Sequence, residues 1–146
     1  MATIQRSAHI DWEGTVKEGR GEVKAGTGAF NLPVTFPARF EAPGGKTSPE
    51  ELIAAAHAAC YAMALSGTLG RKNGRAGKLH VTATLVADFG EGGLKIQASK
   101  LQAVAERLEG ITAAQFVDLA KEAEGRCPVS NALRGSLKIE LEARAK

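Results

Sequence analysis

Apolar and polar positions alternate along the start of this chain. Ala8, Ile10 and Trp12 are separated by polar residues, the period of a strand with one buried face. After Gly14, Thr15 to Lys24 reads as a second, more polar strand carrying Gly19 and Gly21. Gly26, Gly28 and Pro33 punctuate a loop. Val34, Phe36, Ala38 and Phe40 alternate again, which puts Arg39 on the face opposite the larger apolar side chains. A Gly/Pro turn over 42–46 then leads into a stretch of helix, Ser48 to Gly67. Beyond a basic, glycine-rich connector, Lys78 to Asp88 is the clearest strand, with Leu79, Val81, Ala83, Leu85 and Ala87 on one face. Leu94, Ile96 and Ala98 continue the alternation, but Leu101 and Ala103 fall on the other parity, which predicts a bulge near Ser99. Thr112 and Gln115 form a capping box ahead of the helical stripe Phe116, Leu119, Ala120 and Ala123, which ends at Gly125. Cys127-Pro128 starts a short helix to Leu133, and Leu137, Ile139, Leu141 and Ala143 alternate in a last strand. The order predicts an α+β fold: an N-terminal β-meander, a long buried central helix, and a second antiparallel sheet with shorter helices.

The central helix has strong start chemistry. Ser48 is placed to accept a first-turn amide, Glu51 completes a capping box, and Pro49 occupies the first helical position. After Glu50 and Glu51 the stretch is apolar on every side, the pattern of a helix inside a core or a membrane. Its uninterrupted apolar part falls short of the roughly 20 residues a span needs, and His57 and Cys60 lie in its middle. The expectation is therefore a core helix that carries a thiol, with alanines that let other backbone come close.

Composition narrows the class. A chain of 146 residues with 44% hydrophobic and 24% charged side chains suits one soluble globular domain, here 1–146. The net charge of +3 is spread without a basic cluster and aromatics are few, so nucleic acid is not an expected partner. The first residues lack the apolar core of a signal peptide and no membrane segment is expected, so the reading is cytoplasmic. Thiols stay reduced there, which makes two cysteines inert packing, metal ligands or redox groups rather than a structural staple.

Local chemistry separates the two thiols. Cys60, in mid-helix, gains nothing from the helix dipole and needs an outside cation to ionise. Cys127 caps a helix, follows Arg126, and on local electrostatics is the more acidic. His57 lies three residues before Cys60 on the same side of its helix, and packing is the expected role for it rather than base or ligand. No CxxC or HxxxH spacing supports a metal site, and no cofactor motif is present. Tyr61 and Met63 read as core or pocket wall.

The stretches PEELIAAAHAACYAMAL and RCPVSNAL resemble the two signatures of the OsmC/Ohr family, the osmotically inducible and organic hydroperoxide resistance proteins. The likeness runs from HIDWEG to the final strand and is nearer the OsmC branch, whose members carry a comparable RFE. It implies an OsmC-like fold, an intertwined homodimer, and a thiol peroxidase acting on organic hydroperoxides or hydrogen peroxide in stress defence. It implies further that Cys60 attacks the peroxide, that Cys127 resolves it, and that a dithiol such as a lipoyl protein restores both. The family's arginine and glutamate map to Arg39 and Glu50; the other branch takes its arginine from the first hairpin, where this chain has Arg20. Glu50 and Cys60 are ten residues apart, about 15 Å along one helix. Two such helices antiparallel across a twofold axis would bring Glu50 of one chain near Cys60 of the other. Phe36, Phe40 and Leu52 are expected around the mouth of the site. Competing expectations are a small-molecule-binding or a metal-binding stress protein that keeps the fold without peroxidase chemistry.

Overall fold

The structure, a computed structural model, describes residues 2–146. The described residues divide into two compact units, one up to Leu52 and one from Ile53 to Lys146.

The first unit is the expected meander with shifted boundaries. Strands β1 (Ala8–Glu13), β2 (Arg20–Ala25) and β3 (Asn31–Val34) pair antiparallel in the order β1-β2-β3. Residues 15–19, expected as strand, form a turn instead. Gly19 N–H donates to Thr15 O at 2.7 Å, and a Cβ on Gly19 would lie 2.2 Å from that oxygen, so only glycine fits. The alternation over 34–40 also misled. Strand β3 stops at Val34, and Pro37–Arg39 is a single 3-10 turn, because Pro37 fixes φ and offers no N–H to a ladder. Arg39 therefore ends a helical turn rather than standing on a strand.

Helix α1 (Pro49–Gly70) runs three residues past its expected end. Ser48 Oγ accepts the Glu51 N–H at 3.2 Å, but the Glu51 carboxylate takes the Thr47 hydroxyl at 2.6 Å, so the capping box is only half made.

In the second unit, β4 (Arg75–Gly90), β5 (Gly93–Glu109) and β6 (Lys138–Ala145) form a sheet in the order β4-β5-β6. Half of the expected connector is thus strand. The hairpin β4–β5 is antiparallel, and Gln97 is bulged out where the register shifts opposite Val86 and Ala87, two residues from the expected place. The sheet is mixed, not wholly antiparallel: β6 runs parallel to β5. Helices α2 (Ala113–Gly125) and α3 (Pro128–Leu133) carry the chain between them, the crossover a parallel pair requires. Thr112 caps α2 in a complete capping box with Gln115.

The core of this unit joins Tyr61, Leu65 and Leu69 of α1 to Leu101, Ala103 and Ala105 of β5 and Phe116, Leu119 and Ala123 of α2. Only that face of α1 is buried in the chain. Ala55, Ala56, Ala59, Ser66 and Gly67 are exposed, and Met63 is 71% exposed, so the expectation of burial all round fails for a single chain. By length and composition α1 could cross a membrane. Its inner face, however, carries fully buried His57 and Thr68 in the core of a folded unit. Tyr61 is also fully buried and donates its hydroxyl to Ala120 O at 2.8 Å. Tyr61→Phe removes this bond and is expected to cost about 1 kcal/mol, read as an earlier midpoint in urea unfolding followed by circular dichroism.

Candidate functional site

Two constellations carry chemistry, one in each unit. In the first, the 3-10 turn presents Arg39 to the first turn of α1. Arg39 Nε donates to Glu50 Oε1 at 2.7 Å and to Oε2 at 3.3 Å, and Nη2 donates to Oε2 at 3.2 Å. Both side chains are largely shielded, 28% and 13% exposed. The bond to Glu50 raises the Arg39 pKa above its usual value, against a smaller opposing effect of burial. The planar fork is oriented by the carboxylate and stacked 5.7 Å from the centre of the Phe36 ring. Phe36 meets Phe40 edge-on at 5.2 Å, so two of the three residues expected at an apolar mouth adjoin the arginine, while Leu52 is half-buried on α1. Arg20 opens β2 and lines a mixed-charge groove with Asp11, Glu13 and Glu22 of its own sheet.

In the second unit, α1 presents half-buried Cys60, and α3 begins at fully buried Cys127. Both are free thiols, and Cys60 packs against the core cluster that contains Cys127, although 67 residues separate them in the sequence. Burial raises the Cys60 pKa; the Val129 backbone opposes this, while Cys127 adds to the rise. Among the described residues no cation contributes to that balance. Cys60 is thus held as a protonated thiol in the single chain, as its mid-helix position implies. Cys127 Sγ caps α3 by accepting the Ser130 N–H at 3.4 Å. Beside it Arg134 donates to Glu124 at 2.9 Å, and the Arg134 pKa is raised by Glu124 first and least by the Cys127 sulfur.

His57 is packed and hydrogen-bonded inside the unit. It is fully buried, with Nδ1 2.6 Å from Ser99 Oγ and Nε2 2.7 Å from Ser130 Oγ. Both ring nitrogens are occupied, and burial lowers its pKa against a smaller effect of Glu124. Among the described residues no cluster of side chains suits a metal ion. Ser99, Ser130, Glu124 and Arg134 escaped the sequence reading as site neighbours. Ser130 stood inside the CPVS stretch, and Ser99 stood where the strand parity switches; nothing marked the other two.

The sequence profile described as OsmC-like protein matches residues 42–142. Peroxiredoxin OsmC of Escherichia coli is 35% identical over 144 residues, 98% of this chain and 99% of that protein. Organic hydroperoxide resistance protein OhrB of Bacillus subtilis is 31% identical over 131 residues, 88% of this chain and 93% of its own. Among solved structures, an organic hydroperoxide resistance protein from Elizabethkingia anophelis superposes with a TM-score of 0.77 at 28% identity, covering 100% of both chains. With the profile spanning more than half of the chain and a relative matched nearly end to end, the chain is a member of the OsmC-like protein family.

Proposed function

We propose that this chain is a thiol-dependent peroxidase of hydroperoxide defence, a single OsmC-like domain over 1–146 working as a homodimer in the cytoplasm. The observation that carries the reading is that Cys60 and Cys127, two free thiols remote in sequence, meet at one core cluster, close enough for Cys127 to raise the Cys60 pKa. The names of the relatives, a peroxiredoxin and an organic hydroperoxide resistance protein, point the same way.

The Cys60 thiolate attacks the terminal oxygen of the hydroperoxide. The O–O bond breaks, the alcohol (or water) leaves with a proton, and Cys60 becomes a sulfenic acid. Cys127 then attacks the Cys60 sulfur, water is released and a disulfide forms. An external dithiol, such as a lipoyl protein, takes the oxidation away by exchange and restores both thiols. In this scheme Arg39 supplies the cation that Cys60 lacks within its own unit, and Glu50 holds the guanidinium in place. The exposed small-residue face of α1 supports the packing of a second copy, so each site is built from both chains. No metal or cofactor is needed.

Cumene hydroperoxide and hydrogen peroxide, compared side by side with dihydrolipoamide as reductant, test the proposal; no consumption of either defeats it. Cys127→Ser is expected to consume one equivalent of peroxide and then stall. Dimedone should trap its sulfenic acid, and sustained turnover in that variant would remove Cys127 from the scheme.

A further inference from the structure

Helix α3 has six residues, too short to hold itself, so its position depends on side-chain anchors. Two of these lie at the surface: Asn131 Nδ2 donates to Gly125 O at 3.0 Å, and Arg134 reaches Glu124 at 2.9 Å. The third is buried. Ser130 Oγ lies 2.7 Å from His57 Nε2, and His57 Nδ1 lies 2.6 Å from Ser99 Oγ on β5. All three side chains are fully buried, and no buried side-chain polar atom among the described residues lacks a partner. His57 is one turn before Cys60, and Ser130 is one turn after Cys127 and gives its amide to that sulfur. One imidazole therefore ties together the two segments that carry the thiols, with its ring nitrogens engaged by the two serines rather than by either sulfur.

We propose that the Ser99–His57–Ser130 chain is a strap that seats α3 for the resolving step, with His57 and Ser130 as positioning residues for disulfide closure. The inference rests on the peroxidase reading for the natural oxidant. In closure the Cys127 sulfur attacks the Cys60 sulfur, the S–O bond breaks, and hydroxide leaves with the thiol proton as water. The sulfur of a disulfide is a poorer acceptor than a thiolate, so the Ser130 amide loses its hold on Cys127 as the bond forms. The hydroxyl contact to His57 does not depend on redox state and keeps the first turn of α3 in register. The first attack on peroxide needs only Cys60 and is independent of the strap.

The test separates the two steps. Ser130→Ala should leave consumption of the first peroxide equivalent within about twofold of the parent and slow disulfide closure about tenfold, the effect of one buried hydrogen bond left unmade. Ser130→Thr, which keeps the hydroxyl, should restore closure. Ser99→Ala loses an equivalent bond on the β5 side and should slow closure less than about threefold. The imidazole itself gives a second pair. A glutamine nitrogen overlays Nε2 and an asparagine nitrogen overlays Nδ1, so His57→Gln should close the disulfide well and His57→Asn poorly. This pair decides the matter if Ser130→Ala does not fold. Closure is also followed with diamide, an azo oxidant that takes up two electrons and two protons as the hydrazine. If the parent closes with diamide but not with hydroperoxide, the peroxidase reading fails while the strap is still judged on the diamide rates. Parent-like closure in Ser130→Ala and His57→Asn, or equal slowing in Ser130→Ala and Ser99→Ala, overturns the strap.

Discussion

Cys60→Ser is expected to abolish hydroperoxide turnover, by at least about a thousandfold in kcat/KM, the scale of removing a nucleophile outright. A serine hydroxyl stays protonated at neutral pH and cannot accept the peroxide oxygen to give a species that a thiol can reduce. Cys127 does not substitute for it. That sulfur is fully buried at the start of α3, where its capping bond to the Ser130 amide holds it away from solvent. The measurement is consumption of cumene hydroperoxide with excess dithiol. Turnover in Cys60→Ser equal to that of the parent chain would sink the mechanism, because no other described thiol remains except Cys127. Loss of turnover together with retained folding, judged by an unchanged urea midpoint, would assign the defect to chemistry.

How much of this was legible in the residues varies from element to element. The caps were: Thr112 with Gln115, and Cys127 before Pro128, act locally, and local chemistry survives whatever the rest of the chain does. The hairpin β4–β5 was readable because one face packs on the core, and the parity switch announced a bulge, expected near Ser99 and found at Gln97. Residues 34–40 were not. Their alternation is genuine, but Pro37 cannot join a ladder and overrides it. The direction of β6 was also hidden, because parallel and antiparallel strands of this length share one pattern. In the candidate site, Cys60, Cys127, Arg39 and Glu50 came from motif likeness. Without that likeness, local electrostatics favoured Cys127 as the more acidic thiol, and Arg39 could be read as a solvated strand residue. The Ser99–His57–Ser130 contacts span 73 residues of sequence between their ends on α1 and α3, a distance over which no periodicity carries information.

The Cys60 thiol has a raised pKa in the single chain, so its attack on peroxide calls for a cation from outside its own unit. Burial, with Cys127 beside it, pushes its thiol up, and no cation among the described residues offsets this. Arg39 has its charge secured and its fork oriented by Glu50, with no thiolate to serve in its own unit. If two chains supply each other's missing half, Arg39→Met should lower the rate of the first attack by about a hundredfold or more, as expected on removing a cation from a partly desolvated thiolate. The rate–pH profile should also move to higher pH. With the cation present the Cys60 thiolate forms at lower pH; without it the thiol keeps the raised value set by burial, so activity returns only as pH climbs. Co-producing Arg39→Met with Cys60→Ser in one cell then decides the geometry. In a mixed dimer, the chain that keeps Cys60 faces the chain that keeps Arg39, and one of its two sites is whole. Random pairing makes half the dimers mixed, so about a quarter of the parent activity should reappear from two inactive variants. If Arg39 serves the cysteine of its own chain, no pairing contains a complete site and the mixture stays as inactive as its components.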